Sequence, residues 1–324
     1  MKVELYLLVV LIALSLVFYF FNPKFFSLEN IFDMLRNNAF LGIMVLGELV
    51  VLISGGIDVS LTAIATVAQY IMGILLVQNY LNNILVTMLI PVAVGLVLGI
   101  VNAIFIYYSR VHPVIITIST LNIFYGLLIF LTQGKWLYRF PSFFRRFSKI
   151  NIITLVNQKG VPYGLSIFVI LWFSLAILTW IILSYFSIGR KVYALGGNQE
   201  AARRAGFSVF KIYIFTYGYA GALAGFASFV QAQLSQIIQP NAIVGRELDI
   251  LAAAILGGAS IFGGSGTVLG VVLGTILIAI IRNGLILMRI SSYWHELVIG
   301  VLFVIAASIV LLRRRQKRRK VVYQ

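Results

Sequence analysis

Ten apolar runs, separated by short polar segments, dominate this 324-residue sequence. The hydrocarbon core of a bilayer is about 30 Å thick, so a helix that crosses it needs about 20 largely apolar residues. Lipid offers no partner for open backbone groups, so helices are the expected spanning element. The runs predict an all-α, polytopic membrane protein with about ten transmembrane helices in a single domain over residues 1–324. They lie near residues 5–21, 39–54, 61–77, 84–108, 114–132, 165–183, 212–231, 249–258, 267–281 and 296–312.

The composition excludes two soluble domains, which the length alone would allow. Hydrophobic residues make up 61% of the chain and charged residues 10%, whereas a soluble domain is about 45–50% apolar and about 25% charged. The first run, residues 5–21, imitates a signal peptide, but it is longer than the usual apolar region and no small-x-small cleavage site follows it. We therefore expect it to remain as the first transmembrane helix.

Basic residues give a net charge of +16, and they lie mainly in loops and at helix ends. Cytoplasmic loops of membrane proteins carry an excess of Lys and Arg, so no nucleic-acid partner is expected. The basic tail 313–324, which begins RRRQKRRK, is predicted to be cytoplasmic. If the chain crosses the membrane ten times and ends in the cytoplasm, the N-terminus is cytoplasmic too. Segment 184–211, which follows the sixth apolar run, then also lies in the cytoplasm. Segment 133–164 then lies outside, against the rule, because it carries six basic residues; this surface is a hypothetical docking face for an acidic partner.

The sequence contains none of the common catalytic or metal-binding patterns. It has no cysteine, which excludes disulfides and thiol catalysis. No G-x-x-x-x-G-K-[ST] motif is present, so ATP hydrolysis by a P-loop is excluded. His112 and His295 lie far apart and are interpreted as ordinary interfacial side chains. We therefore expect a chain that is not an enzyme and that binds no metal or cofactor.

Four acidic residues fall close to membrane depth, where a charge costs about 2.5–3.5 kcal/mol on insertion scales and tends to be functional or paired. Asp58 belongs to LISGGIDVSLTA, in which Gly55 and Gly56 interrupt the helix and Asp58 and Ser60 can cap a helix that begins near Leu61. The stretch is either a capped turn between two spans or a broken helix that lines a translocation pathway. The four acids are Glu48, Asp58, Glu247 and Asp249.

Glycine marks two further features. A second Gly-rich stretch, ILGGASIFGGSGTVLG, follows the first by about 200 residues and is a possible counterpart in an internal repeat. Gly95 and Gly99 have G-x-x-x-G spacing, as do Gly266, Gly270 and Gly274 in succession. Small residues at this spacing let helix backbones approach closely, so we interpret them as packing positions.

The segment GGNQEAARRAG, within the predicted cytoplasmic region, is unusually polar for this chain. Ala, Arg and Glu favour helix, and Gly206 can end a helix in the left-handed conformation. The segment therefore predicts a short cytoplasmic helix over 199–207. This helix is either an amphipathic connector or a docking surface that passes movement of a soluble partner to the membrane helices.

Three stretches together resemble the ribose-type permeases of ABC importers, over residues 37–305. They are GGIDVS, VYALGGNQEAARRAG and ELDILAAAILGGASIFGGSGTVLGVVLG. The resemblance implies a permease subunit that forms the pathway for a monosaccharide such as ribose or galactofuranose. It also implies a cytoplasmic ATPase that uses ATP, an extracytoplasmic sugar-binding protein, and a second permease subunit in a homodimer or heterodimer.

The resemblance also implies roles for individual residues. A coupling loop that contacts the ATPase is carried over to Glu200, Ala201, Ala202, Arg203 and Gly206. Pathway positions are carried over to Gly55, Gly56, Asp58, Ser60, Asn102 and Thr117. The chain departs from the family pattern at Val59, Ala103, Val114 and Ile118, and it lacks the Leu-Pro that ends many such coupling motifs.

Glu48 stands where a neutral residue is more common in the family that the chain resembles. A carboxylate near the pathway would favour a polyol or a cationic solute. The alternative to an ABC importer permease is an ion-coupled secondary transporter or channel for a small polar solute. Such a protein is expected to carry a buried relay of several acids and bases, and acids are few here.

Overall fold

The structure is a computed structural model, and it describes residues 2–157, 159–291, 293–295 and 297–301, with residues 304 and 308. Through residue 291 the described chain forms twelve α-helices and one antiparallel hairpin of β1 (Asn151–Val156) and β2 (Pro162–Ser166). The chain is mostly helical, as predicted, and the hairpin is an addition. The helices are α1 (Lys2–Phe21), α2 (Leu28–Ile53), α3 (Leu61–Val77), α4 (Ile84–Ser109), α5 (Pro113–Thr132), α6 (Ser142–Phe147), α7 (Ile167–Tyr185), α8 (Ser187–Gly197), α9 (Gln199–Arg204), α10 (Val209–Ser235), α11 (Glu247–Leu256) and α12 (Val268–Leu287).

Seven helices in the described part of the chain are long and apolar enough to cross a membrane: α1, α2, α4, α5, α7, α10 and α12. Helix α3 is apolar but has 17 residues. Helix α11 has ten residues, or about 15 Å at 1.5 Å per residue, which is half of the hydrocarbon core. The run at 249–258 is therefore a half-length helix, because hydropathy does not show where a helix stops inside the membrane.

The last part of the topology falls outside what the structure describes. The predicted span at 296–312 is described only in part, and the tail 313–324 lies outside the described residues. The predicted count of about ten transmembrane helices is therefore not confirmed.

Helix α2 forms the centre of the hydrophobic core. All of its residues from Ala39 to Ile53 are buried, and it packs against α7, α10, α11 and α12. A helix that is buried on every side lies inside a bundle. Helix α1, by contrast, packs on α12 and exposes many of its large apolar side chains, as a lipid-facing helix would.

Glycine brings pairs of helices into backbone contact. A Cβ on Gly95 of α4 would overlap the carbonyl oxygen of Gly221 in α10, and a Cβ on Gly99 would overlap that of Tyr217. Gly274 of α12 lies against the carbonyl oxygen of Ala253 in α11 in the same way. The prediction of helix packing is confirmed for these three glycines. It is wrong for Gly266, which lies in the loop before α12 begins at Val268.

The two ends of the helix bundle carry different segments. The 19-residue helix α7 connects the hairpin to α8 and α9, so the hairpin and α9 lie at opposite ends. The start of α1 lies at the α9 end, because Thr267 Oγ1 donates to Glu4 Oε1 (3.0 Å) next to the α11–α12 loop, which contacts the end of α8. Segments 133–164 and 184–211 therefore cannot both face the cytoplasm.

Candidate functional site

A break interrupts the path of the chain between α2, which ends at Ile53, and α3, which begins at Leu61; we call the residues between them the first break. Gly55 has a φ of 90°, which residues with a Cβ rarely adopt. Asp58 Oδ1 accepts hydrogen bonds from the backbone N–H of Ser60 (2.9 Å) and from its hydroxyl (2.5 Å). Ser60 holds the N-cap position of α3, but its side chain makes no capping hydrogen bond. Asp58 therefore fixes the turn before α3, and the prediction that the Ser60 side chain caps this helix is wrong.

Polar side chains from α2, α4 and α5 meet at the first break. Asn102 Nδ2 donates to Ser60 Oγ (2.7 Å), and Thr117 Oγ1 donates to the carbonyl oxygen of Ile57 (3.1 Å). Glu48 Oε1 accepts from the backbone N–H of Asp58 (3.3 Å). The structure thus brings the predicted pathway positions together and adds Glu48. We call Glu48, Asp58, Ser60, Asn102 and Thr117 the polar cluster; each is at most 3% exposed.

Several buried atoms here have no hydrogen-bond partner among the described residues: Glu48 Oε2, Asp58 Oδ2 and Asn102 Oδ1. The hydroxyl of Tyr217 in α10 is a fourth, and it lies so close to Gly56 that a Cβ there would overlap it. A buried polar group without a partner costs about 1–3 kcal/mol. Water or a polar solute that enters the break would satisfy these atoms. Sequence reasoning did not find Tyr217, because one tyrosine in an apolar helix carries no motif.

The other two acids at membrane depth are used by the scaffold. Asp249 Oδ2 accepts a hydrogen bond from Arg282 Nη2 of α12 in a 2.6 Å ion pair. Glu247 Oε1 accepts from the hydroxyl of Thr62 and from the backbone N–H of Gly245 (3.0 Å). These contacts hold the half-length helix α11 against α12 and α3, so we do not assign these acids to the candidate site.

The EAARRAG segment forms the short helix α9, followed by a glycine turn. The side chain of Asn198 caps it by accepting from the N–H of Ala201 (2.9 Å), and Gly206 has a φ of 81°. Ala202 is buried, while the rest of α9 is exposed. The pair Glu200–Arg204 (3.4 Å) is also exposed, and such pairs add little stability. The charged face of α9 is therefore free to contact a partner.

A cleft of about 1240 Å³ connects α9 to the first break. Its lining includes Ser54 and Gly55 of the first break, residues 110–113 between α4 and α5, and Arg203 and Gly206 of the α9 segment. The cleft therefore joins the exposed helix α9 to the first break, which is distant from it in sequence and which holds Asp58 and Ser60 of the polar cluster.

The opposite end of the bundle carries the basic segment 133–164. A cleft of about 490 Å³ lies there, and its lining residues include no acid. Phe144 of α6 is fully buried and packs against Phe229 of α10, which fixes this segment on the bundle. The basic residues that line the cleft are Arg139, Arg145, Arg146 and Lys149.

Comparison with known proteins identifies the family. A family model described as "branched-chain amino acid transport system / permease component" matches residues 30–307. The chain is 30% identical to the ribose import permease protein of Escherichia coli (strain K12) over 92% of this chain and 91% of that protein. It is 29% identical to the autoinducer 2 import system permease protein of Photorhabdus luminescens over 86% and 81%, respectively. No solved structure matches the chain. The chain therefore belongs to this permease family and is similar, along most of its length, to import permeases for ribose and autoinducer 2.

Proposed function

We propose that the chain is the membrane-spanning subunit of an ABC importer and that it forms the pathway for a monosaccharide. The observation that carries this proposal is the arrangement at one end of the bundle. An exposed charged helix, α9, adjoins a cleft that reaches Ser54 and Gly55 of the first break. The same break holds Asp58 and Ser60 of the buried polar cluster. A separate ATPase that binds α9 moves the break and so opens the pathway.

The orientation follows from the position of α9. An ATPase that uses cellular ATP contacts the cytoplasmic face, so α9, residues 184–211 and the N-terminus are cytoplasmic. The hairpin end then faces outside, where an extracytoplasmic sugar-binding protein presents acidic side chains to the basic residues of segment 133–164. A second permease subunit, identical or related, completes the assembly.

The chemistry of the polar cluster favours a sugar over an amino acid. A zwitterionic amino acid needs a cation for its carboxylate, and the side chains that form the polar cluster include none. The unpartnered carboxylate and amide oxygens of the cluster can instead accept hydrogen bonds from a solute. Sugar hydroxyls donate such bonds, and the relatives named above import ribose and autoinducer 2.

The test is solute uptake in cells that express the importer with its ATPase and binding protein. We expect labelled ribose, or a sugar that competes with it, to accumulate, and we expect ATP depletion to abolish this uptake while a proton ionophore spares it. Leucine is the control solute and should not compete. Uptake that survives ATP depletion and collapses with the ionophore would show a secondary transporter and overturn the proposal.

A further inference from the structure

Glycines from three distant parts of the sequence meet at the α9 end of the bundle. They belong to the first break, to the end of α8 and to the α11–α12 loop. The backbones touch without intervening side chains: a Cβ on Gly263 would lie 2.5 Å from the carbonyl oxygen of Gly196 and 2.8 Å from Gly55 Cα. We call this contact the glycine junction; its members are Gly55, Gly196, Gly263 and Gly264.

Hydrogen bonds fasten the three segments of the junction together. The N–H of Gly264 donates to the carbonyl oxygen of Ile53, the last residue of α2 (2.8 Å). Tyr193 Oη of α8 donates to the carbonyl oxygen of Gly266 (2.8 Å). Burial raises the pKa of Tyr193, so its hydroxyl keeps the proton that it donates. The α11–α12 loop is thus bonded to α2 on one side and to α8 on the other.

The junction also lies close, along the chain, to both parts of the candidate site. Gly196 lies two residues before Asn198, the N-cap of α9. Gly55 lies three residues before Asp58 of the polar cluster. Close-packed protein interiors transmit displacement with little slack, and a backbone contact has no side-chain rotamers to absorb it.

We infer that the glycine junction transmits displacement of α9 to the first break, and that Gly196 is a positioning residue for the polar cluster. The inference rests on the proposed function, because α9 moves only if an ATPase binds it. Gly196 holds this role through its lack of a side chain, since a Cβ there would overlap the carbonyl oxygen of Ile53.

The chain offers a matched pair of variants. Gly196 and Gly197 are adjacent in α8 and neither has a positive φ. A Cβ on Gly197 would meet nothing within 4 Å, so Gly197→Ala is the control for Gly196→Ala. The natural absence of cysteine allows Ile57→Cys, in the first break, to report on the pathway by its rate of reaction with N-ethylmaleimide.

The experiment uses the complex of the chain with its ATPase, without nucleotide and with ATP plus vanadate. We expect the labelling rate of Ile57→Cys to depend on nucleotide in the parent and in Gly197→Ala. In Gly196→Ala this dependence should be lost while ATPase co-purification and membrane abundance stay at the parent level. A general structural defect would instead lower abundance and co-purification.

Retention of the full nucleotide dependence in Gly196→Ala would overturn the inference. If Gly196→Ala does not accumulate in the membrane, the same labelling experiment is done with Tyr193→Phe. This substitution removes the hydrogen bond to the carbonyl oxygen of Gly266 and keeps the aromatic ring. A weakened dependence in Tyr193→Phe supports the inference and an unchanged one overturns it. Failure of the parent complex to respond to nucleotide would overturn the proposed function itself, and the inference with it.

Discussion

Two regions of the molecule place acidic side chains at membrane depth, but they differ in how fully these side chains are hydrogen-bonded or paired. In the α11–α12 region, Asp249 is paired with Arg282 and Glu247 accepts hydrogen bonds from Thr62 and Gly245. At the first break, Glu48 and Asp58 each keep one carboxylate oxygen without a partner in the described chain. Both regions are glycine-rich helix breaks, so glycine alone does not separate a structural break from a functional one.

The difference lies in how far the polar groups are satisfied. A buried charge is tolerated when it is paired and hydrogen-bonded, which is the case for Asp249. A buried polar group that lacks a hydrogen-bond partner destabilises the fold, so its presence calls for an explanation other than stability. We therefore assign solute contact to the first break and support of the half-length helix to the α11–α12 region.

The largest expected effect is on stability at the α11–α12 region. Asp249→Asn removes the negative charge that pairs with Arg282, and breaking a buried pair costs about 3–5 kcal/mol. We expect a marked fall in the thermal unfolding temperature and in membrane abundance. Asp249→Leu combined with Arg282→Met should recover much of the loss, because apolar replacement of a buried pair is often neutral. If Asp249→Asn were as stable as the parent, the structural role assigned to the Asp249–Arg282 pair would be contradicted.

The next effect is on transport at the first break. Asp58→Asn keeps the Oδ1 acceptor for Ser60 and removes the negative charge, so folding should change little. A hydrogen bond to a charged group is worth about 1.5–3 kcal/mol, and uptake should fall roughly ten- to a hundredfold on the scale of tenfold per 1.4 kcal/mol. Uptake and abundance are measured side by side. Unchanged uptake would contradict the role of this carboxylate.

A third variant separates docking from backbone strain. Gly206→Val and Gly160→Val replace glycines of similar φ, 81° and 76°, and neither Cβ would meet an atom within 4 Å. Each should cost about 1–3 kcal/mol of backbone strain. Only Gly206→Val, beside α9, should lose ATPase co-purification and ATP-driven uptake. Equal behaviour of the two variants would assign the effect to strain alone.

The smallest expected effect is at Glu48. In Glu48→Gln the side-chain oxygen still accepts from the N–H of Asp58, and an amide NH₂ replaces the second carboxyl oxygen. A typical net hydrogen bond is worth about 0.5–1.5 kcal/mol, so the concentration for half-maximal uptake should rise by about tenfold or less. The concentration dependence of uptake measures this. A larger loss than in Asp58→Asn would reverse the order of importance within the polar cluster.

Local signals in the sequence predicted much of this arrangement. Glycine and acid in GGIDVS predicted the break, and helix-forming residues before Gly206 predicted α9 and its left-handed end. These features depend on a few neighbouring residues, so a single sequence is enough to predict them. The contacts of Tyr217 with the first break and of Arg282 with Asp249 were not predictable, since they join residues that the fold alone brings together. Hydropathy likewise did not distinguish α11, a half-length helix, from a full span.

The most direct test of the account is whether the first break lines a water-filled path. Ile57→Cys is treated with a small, membrane-impermeant thiol reagent in the assembled importer, with and without nucleotide. Ala227→Cys, fully buried in α10, is the control and should stay unlabelled. We expect Ile57→Cys to react in at least one nucleotide state and to be protected by the transported sugar. Failure to react in every state would contradict a pathway at the first break.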